Sequence, residues 1–461
     1  MKILVCVRQG LDGTINPFDA CAYEEALNIS GSEVILISMG PPTTKEFLHN
    51  LTRLGAKKAI LLSDTSFAGA DTLATAYTLS LAVKKIKPDL IFCGRQTLIG
   101  DTAQTGPMLS VYSNFNLITN VMCIEEIGSN ISCLTRDNIK ETVELPALLT
   151  IERINNLRLP SITSKLGELE IWDSLDINAD IDRCGLKGSP TRVIKSFENE
   201  SGKRKCKFIS PIELNEIIDK SLNKNTSTDF FDISSDKKIS KVYIVGNSPI
   251  EFAKSISDDI CVLPILDAKS IAHEIVVNKP NVVLWGGDLL SKKTAAQVSA
   301  MLNLGLCADC TLLETDGSTL YMYRPALSGS VIAKIVSNSK PVMATVKTMQ
   351  DSSDILVGVG YGAKHCISTV KAFADNLSAE LVASRKAVDN DLMPYSMQVG
   401  LTGKTVSPKI YIAVGISGAI HHITGMNKSG TVIAINNDKD APIFEYADYG
   451  ILGNIEDVLM I

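Results

Sequence analysis

Short apolar runs alternate along the chain with segments whose apolar residues recur at helical spacing. Runs at Lys2–Val7, Glu33–Ser38, Ala59–Leu62 and Asp89–Cys93 are rich in Ile, Leu and Val, and Tyr23–Leu27 and Leu73–Ile86 are patterned as helices between them. Strands that are apolar at every position are buried on both faces. Separated by helices, they predict a parallel sheet of strand–helix–strand units. The alternation returns at Lys241–Gly246, Ile260–Pro264 and Asn281–Gly286, and again at Asp354–Val359, Lys409–Val414 and Thr431–Ile435. Two stretches look alike: Lys87-Pro88-Asp89-Leu90-Ile91-Phe92-Cys93-Gly94 and Lys279-Pro280-Asn281-Val282-Val283-Leu284-Trp285-Gly286 each leave a helix and feed a glycine turn. Two homologous halves explain the likeness, and so does a common helix-Pro-strand entry.

Between the halves the pattern breaks. Glu198–Lys207 is a charged run, and Asn223–Lys241 is rich in Asn, Ser, Thr, Asp and Lys without periodicity. Ser210-Pro211-Ile212-Glu213 has a capping box with Pro at the first helical position, which predicts a helix through Leu222. Residues 198–240 therefore read as a linker with one helix, separating a first domain (1–197) from two more (241–345 and 346–461). The 461 residues suit about three domains at roughly 100–200 residues each.

Charge removes some function classes. Lys+Arg 45 against Asp+Glu 51 gives a net charge of −6, so no basic field exists to hold nucleic acid. Apolar runs such as Leu90-Ile91-Phe92-Cys93 fall far short of the ~20 residues of a membrane span. The N-terminal apolar run is too brief for a signal peptide, and a cytoplasmic protein is the expectation. The 11 cysteines are scattered, mostly in apolar runs (Cys6, Cys93, Cys261), and read as buried thiols in a reducing compartment. The Cys307-Ala308-Asp309-Cys310 pair lacks the second pair or neighbouring histidines of a metal site and reads as structural, so no metal is expected.

Candidate chemistry sits where strands end. In Lys409–His422 a strand runs through Gly415-Ile416-Ser417-Gly418 into a helix, where unpaired N–H groups and a positive dipole end favour phosphate or an electron-rich ring edge. Glycine at such a turn also serves purely steric needs. Three more polar loops follow predicted strands or lie near them: Ala383-Ser384-Arg385, Met397–Lys404, and Ala434-Ile435-Asn436. In an open α/β sheet these converge at the carboxyl edge, where ligands bind. The first half has the same kind of loops at Asn16-Pro17-Phe18-Asp19, Gly94-Arg95-Gln96 and Gly100–Met108. They suit a second nucleotide pocket. On spacing alone, N-capping of the following helices by Asp101 or Thr102, and by Asn16 or Asp19, is the simpler reading.

Together these residues resemble the electron transfer flavoproteins, with a β-type subunit fused ahead of an α-type one. Asn16–Asp19, Gly94–Gln96, Asp101–Gly106 and Leu145–Thr150 are similar to the β-type pattern. Gly305–Cys310, Arg324-Pro325 and Met343–Val346 resemble the first α-type domain. Ala383–Arg385, Gln398–Gly403, Gly415–His422, Ala434–Asn436 and Ala441–Phe444 resemble its flavin domain. The resemblance implies two parallel-sheet domains like those of adenine-nucleotide hydrolases plus a Rossmann-like FAD-binding domain, an α/β architecture throughout.

It also implies FAD in the C-terminal domain, with Arg385 over the flavin ring, Thr402 near N5 and His422 at the O2 edge. Ser384, Gln398, Val399, Gly400, Leu401, Gly403, Gly415, Ser417, Gly418, Ala419, Ile420, Asn436 and Asn454 complete that pocket. A guanidinium, a helix start and an imidazole donor there suit the negative charge that reduction brings to the flavin's N1–O2 edge. The implied second site, for AMP or a second FAD, comprises Cys6, Asn16, Pro17, Phe18, Asp19, Met39, Gly100, Asp101, Thr102, Ala103, Gln104, Thr105 and Gly106. Ile162 matches the protruding apolar position of a partner-recognition loop.

The chain departs from the family at several points. Gly360-Tyr361-Gly362 stands where the family has a Gly-Gly-Arg-Gly turn, and the loss of that cation either weakens contact with the cofactor or leaves Lys364 to replace it. A hairpin between Val7 and Asn16 is expected to be missing, as is the first strand–helix unit of the α-type half.

By this resemblance FAD collects electrons and passes them singly to or from a partner flavoprotein dehydrogenase, of acyl-CoA dehydrogenase type. With two flavins the chain bifurcates electron pairs from NADH, with ferredoxin or flavodoxin as acceptor. With AMP it is a simple carrier. A non-redox adenine-nucleotide sensor on the same sheets is the alternative of another class. No Gly-x-Ser-x-Gly elbow supports a hydrolase, and no residue is assigned as catalytic.

Overall fold

The computed structural model describes all residues except 11, 98, 199–202, 223–236, 247, 328–330, 348–352, 401–402 and 461. Strands Lys2–Cys6 (β1), Glu33–Met39 (β2), Lys58–Leu62 (β3) and Leu90–Gly94 (β4) run parallel, joined by helices Pro17–Asn28 (α1), Thr44–Leu51 (α2) and Thr72–Ile86 (α3). Helix α3 starts where the Asp71 carboxylate accepts from the Leu73 and Ala74 N–H groups. It stops at Lys87, which is left-handed (φ 52°) and precedes Pro88. Helix Thr105–Ser113 (α4) leads to a meander of Asn116–Ile127 (β5), Asn130–Thr135 (β6) and Lys140–Glu144 (β7). Ala147–Ile151 (β8) then returns between β4 and β5, and Glu168–Trp172 (β9) closes the far edge. The nine-stranded order is β7-β6-β5-β8-β4-β1-β2-β3-β9.

After Thr191–Glu198 (β10), Lys207–Phe208 (β11) and helix Leu214–Leu222 (α5), the pattern restarts with Val242–Val245 (β12), Ile250–Ile256 (α6), Ile260–Leu263 (β13), Ala268–Asn278 (α7), Val282–Trp285 (β14), Leu289–Leu302 (α8) and Leu306–Cys310 (β15). Leu312–Thr315 (β16), Leu320–Ala326 (β17) and Val331–Ser337 (β18) join β10 in a four-stranded sheet, and Val342–Val346 (β19) returns to the parallel one. The resulting five-stranded order β13-β12-β14-β19-β15 copies β2-β1-β4-β8-β5 of the first half. Helix α7 ends like α3, at a left-handed lysine (Lys279, φ 47°) followed by Pro280. The two halves are thus repeats. Against the first, the second lacks the equivalents of α2 and β3, so β13 is an edge.

These two sheets belong to one compact unit, Met1–Ser196 with Ile233–Leu327 and Ala333–Val346. One apolar cluster runs through it, holding Tyr77, Leu79, Met108 and Leu109 of the first half with Ala295, Ala296, Val298 and Met343 of the second.

The other unit comprises Phe197–Asp232, Ser328–Ile332 and Lys347–Ile461. Its strands Ile355–Val359 (β20), Glu380–Ala383 (β21), Ile410–Val414 (β22), Thr431–Asn436 (β23) and Tyr449–Leu452 (β24) form a parallel sheet, with helices Ile367–Asn376 (α9), Arg385–Val388 (α10), Ile420–Met426 (α11) and Ile455–Leu459 (α12). Its order is β11-β24-β23-β22-β20-β21.

Part of the stretch read as linker is therefore sheet and core. β11 pairs with β24, and Leu214, Ile217 and Ile218 of α5 pack with Val357, Ile412 and Ile433. The capping box at Ser210 and Glu213 is present, in a 3₁₀ turn that opens α5. The stretch expected to lack a hairpin keeps a minimal one, a single Gln9–Ile15 bridge. Among the described residues no helix is long and apolar enough to cross a membrane. None of them form a group of three or more His, Cys, Asp or Glu that could hold a metal ion.

Candidate functional site

In the second unit four strand-edge loops meet, and glycines allow it. Gly415 (φ 64°) and Gly418 (φ 90°) lie in the turn from β22 to α11. A Cβ on Gly360 would stand 2.0 Å from the Gly415 carbonyl oxygen, and one on Gly418 2.1 Å from the Ile443 nitrogen. At both glycines the obstacle is backbone packed against the turn that leads into α11. Ser417, Ala419 and Ile420 are exposed there, and the N–H groups of Gly418 through His421 meet no acceptor among the described residues. This is a cradle of open donors at a positive helix end, and it fits an anionic dinucleotide.

Ser384 caps α10, its hydroxyl accepting from the Ala387 N–H at 3.4 Å. It leaves the next residue, Arg385, partly exposed with its Nε 3.5 Å from Asp389. The 398–404 loop is tied in by Val399 N–H to the Ala383 carbonyl (2.9 Å) and Lys404 N–H to the Gln398 carbonyl (2.7 Å). Gly400 (φ 144°) touches α11, where its Cβ would lie 2.7 Å from the His421 carbonyl oxygen. Leu401 and Thr402 lie outside the described residues. Asn436 holds the cradle by donating to the Ile416 carbonyl and accepting from the Asp438 N–H. Asn454 is exposed at the start of α12.

His422 is buried and both ring nitrogens are engaged within the protein: Nδ1 is 3.1 Å from the Val399 carbonyl and Nε2 is 2.9 Å from the Tyr411 hydroxyl. A carbonyl only accepts, so Nδ1 carries the proton and Nε2 accepts from Tyr411. Gly358 makes room for that hydroxyl, since a Cβ there would stand 2.2 Å from it. Burial lowers the His422 pKa to about 4, against the Val399 hydrogen bond. Below about pH 6.5 the unfolded chain is protonated at this residue while the folded one is not. Its contribution thus lowers stability as pH falls from about 6.5 to 4, by about 1.4 kcal/mol per pH unit. NMR titration of the imidazole will find it neutral at pH 5.5; a midpoint near 6.5 would contradict the buried pair.

Tyr361, where the family pattern has arginine, has the Lys364 and Lys386 ammonium groups 5.0 and 4.9 Å from its ring centroid. The aromatic ring gathers two cations where one was expected. Lys386 escaped sequence reading because nothing in the pattern ties it to Tyr361.

In the first unit the capping reading fails. Gln104, not Asp101 or Thr102, precedes α4, and it makes no side-chain cap. Asp101 and Ala103 are left-handed (φ 50° and 54°), and Asp101 accepts from the Gln96 amide at 2.6 Å. Asn16 stands at the N-cap position of α1 but makes no side-chain cap, and its amide donates to the Gln96 carbonyl at 3.0 Å. Asp19 is buried beneath Gly94 and accepts from the Arg8 N–H at 2.9 Å. Burial raises its carboxyl to about 7, against hydrogen bonds from Asn16, Arg8 and Gly94.

Arg324, from the second half and 6 % exposed, donates to the Gly100 and Asp101 carbonyls at 2.9 Å each. The Gly100–Gly106 loop is thus held from both halves. Its open N–H groups, Ala103 through Gly106, meet no acceptor among the described residues, and the buried Gln104 amide nitrogen has no partner among them. Phe18 lies under the Arg95 guanidinium, 5.2 Å away. Cys6 and Met39 end β1 and β2 on the same edge, and Pro17 opens α1.

Two cysteine readings divide. Cys307 and Cys310 are buried in the sheet around the left-handed Asp309, while Cys261 is exposed on the edge strand β13. Ile162 is 99 % exposed at its loop tip. Near that loop, a cleft of about 500 Å³ is lined by Gln9, Ile15, Phe47, Leu51, Leu54 and Pro160.

Comparison with known families matches the electron transfer flavoprotein domain to residues 3–174 and 265–354, more than half of the chain, and the electron transfer flavoprotein FAD-binding domain to residues 350–427. The chain is 40 % identical over 205 residues to an electron transfer flavoprotein subunit beta of Clostridium acetobutylicum, covering 42 % of this chain and 79 % of that one. It is 35 % identical over 239 residues to a subunit alpha of Thermoanaerobacterium thermosaccharolyticum (42 % and 72 %). It is also 36 % identical over 231 residues to the caffeyl-CoA reductase–Etf complex subunit CarD of Acetobacterium woodii (47 % and 88 %).

Proposed function

The chain belongs to the electron transfer flavoprotein family, its β-type and α-type parts fused in one polypeptide, and we propose that it carries electrons on two bound flavins, splitting pairs taken from NADH. FAD, when bound, supplies the redox chemistry, taking up electrons and releasing them one at a time. The observation that carries FAD in the C-terminal unit is the cradle of open N–H groups from Gly418 to His421, with Ser384-Arg385 and Val399 on the neighbouring loops.

Each residue then has a defined task. Arg385 offers a positive charge steadied by Asp389, and the α11 start adds its dipole, so both favour negative charge on the ring they hold. Lys364 and Lys386 add cations beside Tyr361. His422 stays neutral, its Nδ1–H donated to the Val399 carbonyl, and so ties Val399 to α11 rather than meeting the flavin as a cation. The loop at Gly100–Gly106, with its open donors and the Gln104 amide, is the place for the second nucleotide. Its resemblance to the bifurcating pattern favours FAD there. Exposed Ile162 is the anchor for a partner dehydrogenase or reductase; the relative CarD is named as part of a caffeyl-CoA reductase complex, which supports a CoA-ester enzyme as partner.

The test is to denature purified protein, preincubated with FAD, and count released FAD and AMP per chain. Two FAD and no AMP, with NADH-dependent bleaching, is the expected result. One FAD and one AMP would leave a simple carrier. A chain with AMP and no flavin would be an adenine-nucleotide sensor, and the redox reading would be lost.

A further inference from the structure

Cys6 ends β1 and Cys93 lies beside it in β4, the two being direct partners in the parallel register. Residues opposite each other on neighbouring strands place their side chains on the same face. The strand spacing of ~4.8 Å is within the ~4.4–6.8 Å between Cα atoms that a disulfide spans. Both are free thiols, Cys6 partly exposed and Cys93 6 % exposed, and both pack against the same apolar cluster. Above them lies the nucleotide loop: a Cβ on Gly106 would stand 3.9 Å from the Cys93 Cβ. Exposed Cys123 and Cys261 have no such arrangement, and Cys307 and Cys310 are both closed off from solvent.

We propose that Cys6 and Cys93 form a redox-active dithiol at the floor of the second nucleotide site, which closes to a disulfide by exchange with a low-molecular-weight disulfide. The location at that site rests on the two-site reading above; the dithiol chemistry does not.

The partly exposed Cys6 attacks as thiolate on one sulfur of RSSR. A Cys6–S–SR bond forms, the R–S–S–R bond breaks, and RS⁻ leaves to take up the proton that Cys6 gave. Cys93 then attacks the Cys6 sulfur, forming the Cys6–Cys93 bond and expelling the second RS⁻, which takes the Cys93 proton. Two protein thiols are oxidised and RSSR is reduced to two RSH, so atoms and electrons balance. The Cys6 thiol, burial and the Asp19 carboxylate together hold the Cys93 thiol well above its usual range. The Cys6 share of that effect vanishes once its sulfur is in the mixed disulfide, which eases the second step. Exchange with an added dithiol runs the same two steps in reverse and restores both thiols. A bound nucleotide covers Cys6 and protects it; the closed disulfide, conversely, shifts the floor beneath Gly106.

Reduced full-length protein is incubated with oxidised glutathione, alkylated, digested and mapped by mass spectrometry, and released nucleotide is counted on the same sample. A Cys6–Cys93 linked peptide that disappears on dithiothreitol treatment is expected, its formation slowed at least tenfold by added excess FAD. Cys93→Ser should trap glutathione on Cys6, and Cys6→Ser should give neither product. Wild-type protein that keeps its circular dichroism yet yields no linked peptide, or holds glutathione on Cys6 unresolved, overturns the dithiol. A linked peptide with unchanged nucleotide content overturns its placement at the site. A linked peptide in a chain that binds no second nucleotide keeps the dithiol and refutes the two-site reading instead.

Discussion

Gly418→Ala is expected to give a chain that retains no FAD and whose C-terminal unit loses about 3 kcal/mol or more of stability. Gly418 is held at φ 90°, where an L-residue is strained, and its Cβ would sit 2.1 Å from the Ile443 nitrogen and 2.6 Å from the Pro442 carbonyl carbon. Both obstacles are backbone, so no side chain can yield. The Ile443 N–H to Ser417 carbonyl bond, 3.1 Å long, must break, and the open donors at the start of α11 move with it. Gly31→Ala isolates the conformational part: it has φ 71° but no atom within 4 Å of the added Cβ, and is expected to lose only about 1 kcal/mol. Urea unfolding and flavin absorbance after desalting measure both variants. A yellow Gly418→Ala protein as stable as the parent would refute the cradle.

Removing the buried carboxylate of the first unit has an effect of similar size. Glu152 is fully buried, 3.1 Å from Arg95 Nε and 3.7 Å from Arg136 Nη1, and Arg95 itself is 7 % exposed at its side chain. Glu152→Ala leaves cationic side chains in a cavity without their counter-charge, which costs about 3–5 kcal/mol in such pairs. Glu33, whose partner Lys57 is 63 % exposed at its side chain, is the contrast: Glu33→Ala should cost under about 1 kcal/mol. Because Arg95 follows Gly94 and stacks on Phe18, Glu152→Ala should also weaken the second nucleotide site while leaving FAD in the C-terminal unit. Equal denaturation midpoints for Glu152→Ala and the parent would rule out this role for the pair.

Most of the parallel sheet was legible from the chain because strands buried on both faces announce themselves: Leu90-Ile91-Phe92 and Val282–Trp285 sit where the apolar runs predict. Cys261 misled because an edge strand keeps the same apolar sequence after losing a neighbour, and only topology reveals that β13 is uncovered. The 207–222 stretch read as linker because a two-residue strand carries no period of its own; its partner β24 is more than two hundred positions away.

At the sites, glycine turns and polar residues were visible locally, but their hydrogen-bond partners were not. Asp101 looks like a cap in sequence, yet its left-handed backbone turns it toward Gln96. For His422 the decisive neighbour is Tyr411, which lies on the strand before the turn and reads as ordinary core. Arg324 reaches across 224 positions to the Gly100 carbonyl, a contact that no spacing rule expresses.

That reach has a thermodynamic consequence. Were the β-type and α-type parts separate polypeptides, the Arg324 clamp and the shared core of Tyr77, Met108, Ala295 and Met343 would form a subunit interface governed by mass action. Here one backbone joins them, so their encounter is a loop closure at a fixed effective concentration. The Gly100–Gly106 loop therefore keeps its clamp however dilute the protein becomes.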